Sequence, residues 1–330
     1  MNTTAPLEFH KARDFSKKIN DTFEFLKQNF VQITKSILFI AGPPVLMGSL
    51  MMGSFIGDFL DFTQSSIANP GSAEMAEKYF FSPNFWLQIV LAMIFLLISG
   101  VAALSSVNNY ILLYGEKKSN QIEVGEVWAR VKETFWMYLG TMVFFGLLFI
   151  VAYIIMLVPI ALLAAASPLL VFFGVMGMFV GIFYLLFGAC LTFFIRAYER
   201  KGFFEALSRS FYLVRGKWWS TFGLVIILSL IASTMSYLFI MPWYIATIVS
   251  SFHNVSTNSF QGPSYNWKVF TIISFALYYL AQMVLYAIPN VGIAFQYFNL
   301  VELKEAKGLM DEIKTMGSAG GQPPQREEGY

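Results

Sequence analysis

The chain has little charge. Only 13% of its 330 residues are Asp, Glu, Lys or Arg, against 57% that are apolar, and its mean hydropathy is +0.60. A soluble domain carries about a quarter charged residues, so a water-soluble globular domain is excluded and lipid is the expected solvent. Cysteine is nearly absent. Cys190 stands alone, which excludes a disulfide within the chain, and its place in an apolar run reads as a small packing residue rather than a reactive thiol. The two histidines, His10 and His253, lie far apart, so no cluster of His and Cys with zinc-ligand spacing exists. Phosphate-cradling GxxxxGK[ST], HExxH and GxSxG are missing. Charge is also nearly missing from the middles of the apolar runs, where proton- and ion-coupled carriers keep it. These absences argue against an enzyme, a metal, a cofactor or a proton pump. They leave open a carrier of neutral or apolar molecules. The net charge of +2 is small, and no nucleic-acid partner is expected.

What is present is a set of long apolar runs, each pair preceded by a basic amphipathic stretch. Leu207, Phe211, Val214 and Trp218 recur at i, i+4, i+7, i+11 and fall on one side of a helix, while Arg209, Arg215 and Lys217 project elsewhere, towards water or headgroups. Such a helix suits the membrane interface, with Trp218 and Trp219 at headgroup level. The same pattern returns at Val124, Trp128, Val131, Lys132 and Phe135, and at Ile19, Phe23, Leu26, Lys27 and Phe30. A recurring pattern of this kind predicts a repeat architecture. Phe23, Trp128, Phe211, Trp218 and Trp219 are the expected interfacial anchors. The ends of the second apolar run of each unit agree: Tyr114-Gly-Glu-Lys-Lys, Tyr198-Glu-Arg-Lys and Leu300-Val-Glu-Leu-Lys-Glu. The expected fold is therefore all-α and polytopic, with six transmembrane helices in three repeated units (about 10–117, 118–200 and 201–316). Each unit is an interfacial amphipathic helix plus a helix pair, and a disordered cytoplasmic tail follows at 317–330.

In chain order, no signal peptide is expected, since the first long apolar run begins only near Val31. The spans are placed at about 33–57, 85–113, 135–164, 168–195, 220–249 and 268–298. Gly42-Pro43-Pro44, Pro159 and Pro242 fall in the first span of each unit and predict breaks there. Broken helices in matching places can mark a midplane site, with a packing kink as the rival. Pro289-Asn290 interrupts the sixth span. Gly48, Gly53 and Gly57, and then Gly174, Gly177 and Gly181, read as close-packing faces. Residues 58–84 read as a solvated acidic loop carrying Asp58, Asp61, Glu74 and Glu77, with a turn at Asn69-Pro70-Gly71 and Ser72 capping a short helix through Tyr79. Asn254-Val255-Ser256 matches a glycosylation acceptor only weakly. A further amphipathic helix is expected at Leu303, Met310 and Ile313. Asn108, Asn109, Gln282 and Asn290 are the candidate polar lining of a midplane or inner-half site; interhelical hydrogen bonding is the competing reading for Asn108 and Asn109.

All but three of the 22 lysines and arginines fall in the amino-terminal segment, the 115–134 and 196–219 loops, or the tail; the exceptions are Lys35, Lys78 and Lys268. Positive charge marks the cytoplasmic side. The expected location is the cell inner (cytoplasmic) membrane, with both termini cytoplasmic and the amphipathic helices on the inner face.

The run from Arg196 through Phe211 (RAYERKGFFEALSRSF), followed by Gly216-Lys-Trp-Trp, resembles a group of uncharacterised six-span bacterial membrane proteins. That group includes the membrane domain attached to some glycerophosphodiester phosphodiesterases. The resemblance implies a six-helix integral membrane fold and carries over no catalytic residue, since the phosphodiesterase chemistry belongs to a separate barrel of about 250 residues. The leading expectation is a non-enzymatic scaffold or regulatory subunit with a protein partner at the cytoplasmic face. The alternative is a transporter or lipid-handling protein for an uncharged or amphipathic small molecule. Membrane lipids are partners in either case.

Overall fold

The computed structural model describes residues 7–68, 73–164, 167–257, 265–306 and 310. Among the described residues there is no strand. The helices are α1 (Phe15–Ile40), α2 (Gly42–Ala68), α3 (Ala73–Phe80), α4 (Pro83–Lys117), α5 (Val124–Ala164), α6 (Pro168–Ala189), α7 (Thr192–Glu199), α8 (Phe203–Val214), α9 (Trp218–Thr257), α10 (Tyr265–Leu285) and α11 (Ala287–Glu305). Six stretches are long and apolar enough to cross a bilayer: Gly42–Ser66, Pro83–Lys117, Val124–Leu162, Leu169–Glu199, Trp218–His253 and Tyr265–Glu305. Each exceeds the roughly 20 residues a bilayer crossing needs. The protein is an all-α, multi-pass membrane protein. The turn at Asn69-Pro70-Gly71, the Ser72 cap, residues 307–309 and 311–313 of the last amphipathic stretch and the 317–330 tail lie outside the described residues.

Local chemistry sets the helix ends. Asp14 accepts the Lys17 amide (2.7 Å) to cap α1. Ser82 and Ser167 accept the Phe85 and Leu169 amides ahead of α4 and α6, each with a proline at the first helical position. The second crossing of each successive pair ends on a non-glycine residue in the left-handed region: Lys118 (φ 48°), Arg200 (φ 53°) and Ala306 (φ 48°).

Several expectations are corrected. The first crossing starts at Gly42, not near residue 33: α1 continues as a helix to Ile40, and the break expected at Gly42-Pro43-Pro44 falls between α1 and α2, ahead of the span instead of inside it. A proline in the first turn forfeits no hydrogen bond, so the motif separates two helices cleanly. Pro159 and Pro242 lie inside continuous helices α5 and α9. Asp58 and Asp61 are not loop residues. They sit on α2 and pair with Lys268 of α10 (3.3 and 2.5 Å), while Gln88 of α4 donates to Asp58 (3.1 Å). The three amphipathic stretches also differ in form. The first is the start of the 26-residue α1, the second is the opening of α5, and only the third is a separate helix, α8.

Packing divides the molecule into two zones. One end, which carries most of the lysines and arginines, holds a dense core. Phe25, Ile33 and Ile37 of α1, Val107, Tyr110 and Ile111 of α4, Leu191 and Ile195, Leu224 of α9, and Val291, Phe295 and Leu300 of α11 belong to one buried cluster. The chain before α1 closes over it. Phe9 stacks on Phe298 (ring centroids 4.9 Å) and the Leu7 amide donates to the Tyr114 hydroxyl (3.0 Å). In the other zone, α2, α4, α9 and α10 pack side by side, with Gly53 brought against the Ile272 backbone. The α5–α6 hairpin stands apart there. No described residue is buried from Met142 through Leu186.

Candidate functional site

Two crossings are interrupted, and both interruptions face the same space. α6 stops at Ala189 and α7 resumes at Thr192, leaving Cys190 and Leu191 as a turn; α10 stops at Leu285 and α11 resumes at Ala287. Pro289 explains the second break. It has no N–H for the Leu285 carbonyl and its ring crowds that turn. The first break has no proline. There the Ser210 hydroxyl of α8 donates to the Gly188 carbonyl (2.6 Å), and the Phe211 ring lies where a Gly188 side chain would be. Asn290 likewise donates to the Tyr286 carbonyl (2.6 Å). A carbonyl loosened from a helix inside a bilayer needs such a donor, because no water replaces it.

Between the two breaks lies a cavity of about 660 Å³, walled by α4, α5, the α6–α7 junction and the α10–α11 junction. This size is typical of a small-molecule site. On α4 its wall runs from Leu96 to Asn108, a length of about 18 Å at 1.5 Å per residue. The wall changes character along that length. Leu96, Phe149 and Gly146 line the end remote from the basic core; Asn108, Cys190, Tyr286 and Asn290 line the end against it. No Asp, Glu, Lys, Arg or His is among the lining residues. Gly100 and Gly146 face open space, with nothing within 4 Å of a side-chain carbon built on either. The lining residues Met142 and Leu186 are exposed, and no described residue of the hairpin is buried over 142–186, so the cavity is not sealed by protein on the α5–α6 side.

Of the four candidate lining residues, Asn108, Gln282 and Asn290 line this cavity. Asn109 does not. Its amide donates to Ser105 of α4 (3.1 Å) and Thr134 of α5 (2.8 Å), tying those two helices together. Asn108 is buried and sits beside the Tyr138 hydroxyl, which is itself buried without a well-formed hydrogen bond.

Beneath the cavity is a buried polar layer that the sequence did not reveal. Arg13 pairs with Asp21 (2.6 Å) and its backbone amide donates to Asn299 (2.7 Å). Lys18 donates to Gln296 (2.8 Å) and Ser220 (2.9 Å), and Gln296 donates to Thr221 (2.8 Å). Burial, assisted by the charge of Lys217 and opposed by that of Asp14, pulls the Lys18 amine down to about 8. Arg209 bridges Glu199 (2.6 Å) and Glu305 (2.7 and 3.0 Å), and the Tyr297 hydroxyl also donates to Glu199 (2.6 Å). The Glu305 hydrogen bonds, and then those of Glu199, hold the guanidinium above its ordinary range.

This layer corrects the reading of the third amphipathic helix. Its buried face is Phe203, Ala206, Ser210, Leu213 and Val214, so α8 packs into the protein, and Arg209 turns inward rather than toward headgroups. Phe211 is wedged against Gly188 and Trp218 stacks on Tyr184 (6.0 Å) and Phe222 (5.1 Å), and both rings remain half-exposed. Phe23, Trp128 and Trp219 are exposed, Trp219 to 77%. Among the described residues no group of three or more His, Cys, Asp or Glu side chains could hold a metal ion. No protein-family model, curated protein or solved structure matches the chain.

Proposed function

We propose that this is a cell inner-membrane protein, with both termini cytoplasmic, that binds an uncharged or amphipathic lipid-like molecule in its lateral cavity and carries or presents it without chemistry of its own. The observation that supports this reading is the cavity itself: an apolar slot between two interrupted crossings, not sealed by protein on the α5–α6 side and furnished with amides at one end. The lysine and arginine distribution supports the orientation. The left-handed caps after α4, α7 and α11 support a three-unit organisation. The resemblance to the glycerophosphodiester phosphodiesterase membrane-domain group remains part of the proposal, as a membrane module that brings no catalytic residue. The test is native mass spectrometry of protein extracted in mild detergent. Wild type is expected to retain one lipid-sized adduct that Gly100→Leu loses and Gly100→Ala keeps. Equal spectra for all three would overturn the reading.

A second reading, a scaffold or regulatory subunit for a protein partner at the cytoplasmic face, draws on α8. Phe204 and Tyr212 project from its outer face beside Lys201 and Glu205. A stoichiometric partner that co-purifies with wild type and is lost on Phe204→Ser plus Tyr212→Ser would support it; a partner that stays bound to the double variant would remove it.

A further inference from the structure

We infer that the molecule held in the cavity is an amphiphile with a neutral, hydrogen-bonding head, seated with that head between Asn108 and Asn290 and its chain running toward Leu96. The inference rests on the cavity being a binding site and adds the chemistry and direction of the ligand.

Three observations carry it. First, the polar groups of the lining are amides and hydroxyls: Asn108, Gln282, Asn290, Ser99, Tyr279 and Tyr286. Amides both donate and accept, which suits hydroxyl, ester or amide groups. They give no counter-charge, and an ion taken into an apolar slot without one is strongly disfavoured. Arg196 of α7 is not among the lining residues; its guanidinium is directed at the Met137 carbonyl, the Thr141 hydroxyl and the Lys201 carbonyl. Arg13, Lys18 and Arg209 are engaged by Asp21, Gln296, Glu199 and Glu305 in the layer beneath.

Second, Asn108 and Asn290 lie at one end of the slot, while Ser99 and Tyr279 lie farther along it, the Ser99 hydroxyl already donating to the Leu96 carbonyl (2.8 Å). α4 has no charged residue from Pro83 to Gly115, and Asn108 comes at the end of its apolar run nearest the basic end. The amides therefore lie near the boundary of the hydrocarbon, and the slot leads from there about 18 Å toward mid-bilayer. A membrane amphiphile in the leaflet at that side lies in the same sense, so it can slide in sideways without turning over. Third, the remote half is lined by Leu96, Phe149 and Gly146, apolar surface that a chain would fill.

The test uses full-length protein in detergent, titrated with monooleoylglycerol, its phosphate monoester and oleylamine, which share one chain length and differ in head charge. Binding is read by native mass spectrometry and by the shift in melting temperature. The neutral lipid is expected to bind one to one, and each charged analogue at least about tenfold more weakly, an energy of about 1.4 kcal/mol. Gln282→Leu and Asn108→Leu are expected to weaken the neutral lipid several-fold, and Gly146→Phe to abolish binding while Gly146→Ala does not. Equal or tighter binding of the phosphate ester that Gly146→Phe still abolishes would overturn the neutral head and leave the cavity reading standing. Binding of none of the three, or binding that a folded Gly146→Phe protein retains, would overturn both.

Discussion

The ring of Phe211 occupies the space that a side chain at Gly188 would need: a Cβ built there would overlap Cε1 of the ring. The ring also lies beside Tyr184 (6.4 Å), and Ser210, one residue earlier, holds the Gly188 carbonyl. The α6–α7 interruption is therefore made by α8 pressing on a glycine. Gly188→Ala is expected to destabilise the protein by about 1–3 kcal/mol, the usual cost of overpacking, and Phe211→Leu in the same chain should recover most of it. Thermal unfolding of the two variants in one detergent checks this. A Gly188→Ala protein as stable as wild type would mean that the ring moves aside freely.

A second glycine separates close helix packing from cavity lining. At Gly53 of α2 an added Cβ would lie 2.7 Å from the Ile272 α-carbon of α10, a backbone atom that cannot rotate away. Small residues permit such approaches in membranes, where packing rather than water drives association. Gly53→Ala is expected to cost about 1–3 kcal/mol, whereas Gly146→Ala, which meets nothing, should leave the melting temperature unchanged or raise it slightly through better helix propensity.

How far the sequence reached can be judged from particular elements. The six crossings were legible because long apolar runs in a chain this poor in charge have no other solvent than lipid. The first crossing was displaced because α1 stays apolar to Ile40, with Ile33 and Ile37 buried in the core and Val31 and Phe39 exposed, so its end reads like the start of a span. The breaks expected at Pro159 and Pro242 were absent. A single proline costs one hydrogen bond locally, and neighbouring groups in a long membrane helix can absorb that. The break at Cys190 had no signal of its own, since its cause lies more than twenty residues later, in α8. Three of the four amides singled out in the apolar runs line the cavity; Asn109 was not separable from Asn108, because the helix face each presents depends on where α5 packs. Charge misled most. Arg209, Lys18 and Asp21 look like surface residues until partners up to 278 positions away are known.

Arg209 tests that polar layer. Removing its guanidinium breaks the ion pairs to Glu199 and Glu305 at once, while Glu199 keeps Lys201 (3.0 Å). Arg209→Ala is expected to cost about 2–4 kcal/mol, toward the low end for a broken ion pair because solvent still reaches the group. Arg209→Lys should restore only part of it, since an ammonium cannot bond Glu305 through two nitrogens while also reaching Glu199. Unfolding midpoints of the two variants decide. Full recovery by lysine would show that charge alone matters there.

Lys18 gives a pH signature. Its amine titrates at about 8 in the folded protein and at 10.5 in an unfolded chain, chiefly because the folded protein withdraws it from water, with the charge of Lys217 adding to the effect. Below about pH 8 both states hold the proton, and the penalty for a buried ammonium is fully present. Between about 8 and 10.5 the unfolded chain holds a proton that the folded protein has released, so stability rises with pH across that window. The hydrogen bonds to Gln296 and Ser220 survive, because a neutral amine still donates. Lys18→Met removes the titrating group, though it strands the Gln296 oxygen and so shifts the whole curve. The slope is therefore the informative quantity. Wild type is expected to gain melting temperature relative to Lys18→Met as pH is raised from 8 to 10, and the two should run parallel from 6 to 7.5. Parallel curves over the whole range would mean that Lys18 is hydrated in the folded protein and that the layer beneath the cavity is open to water.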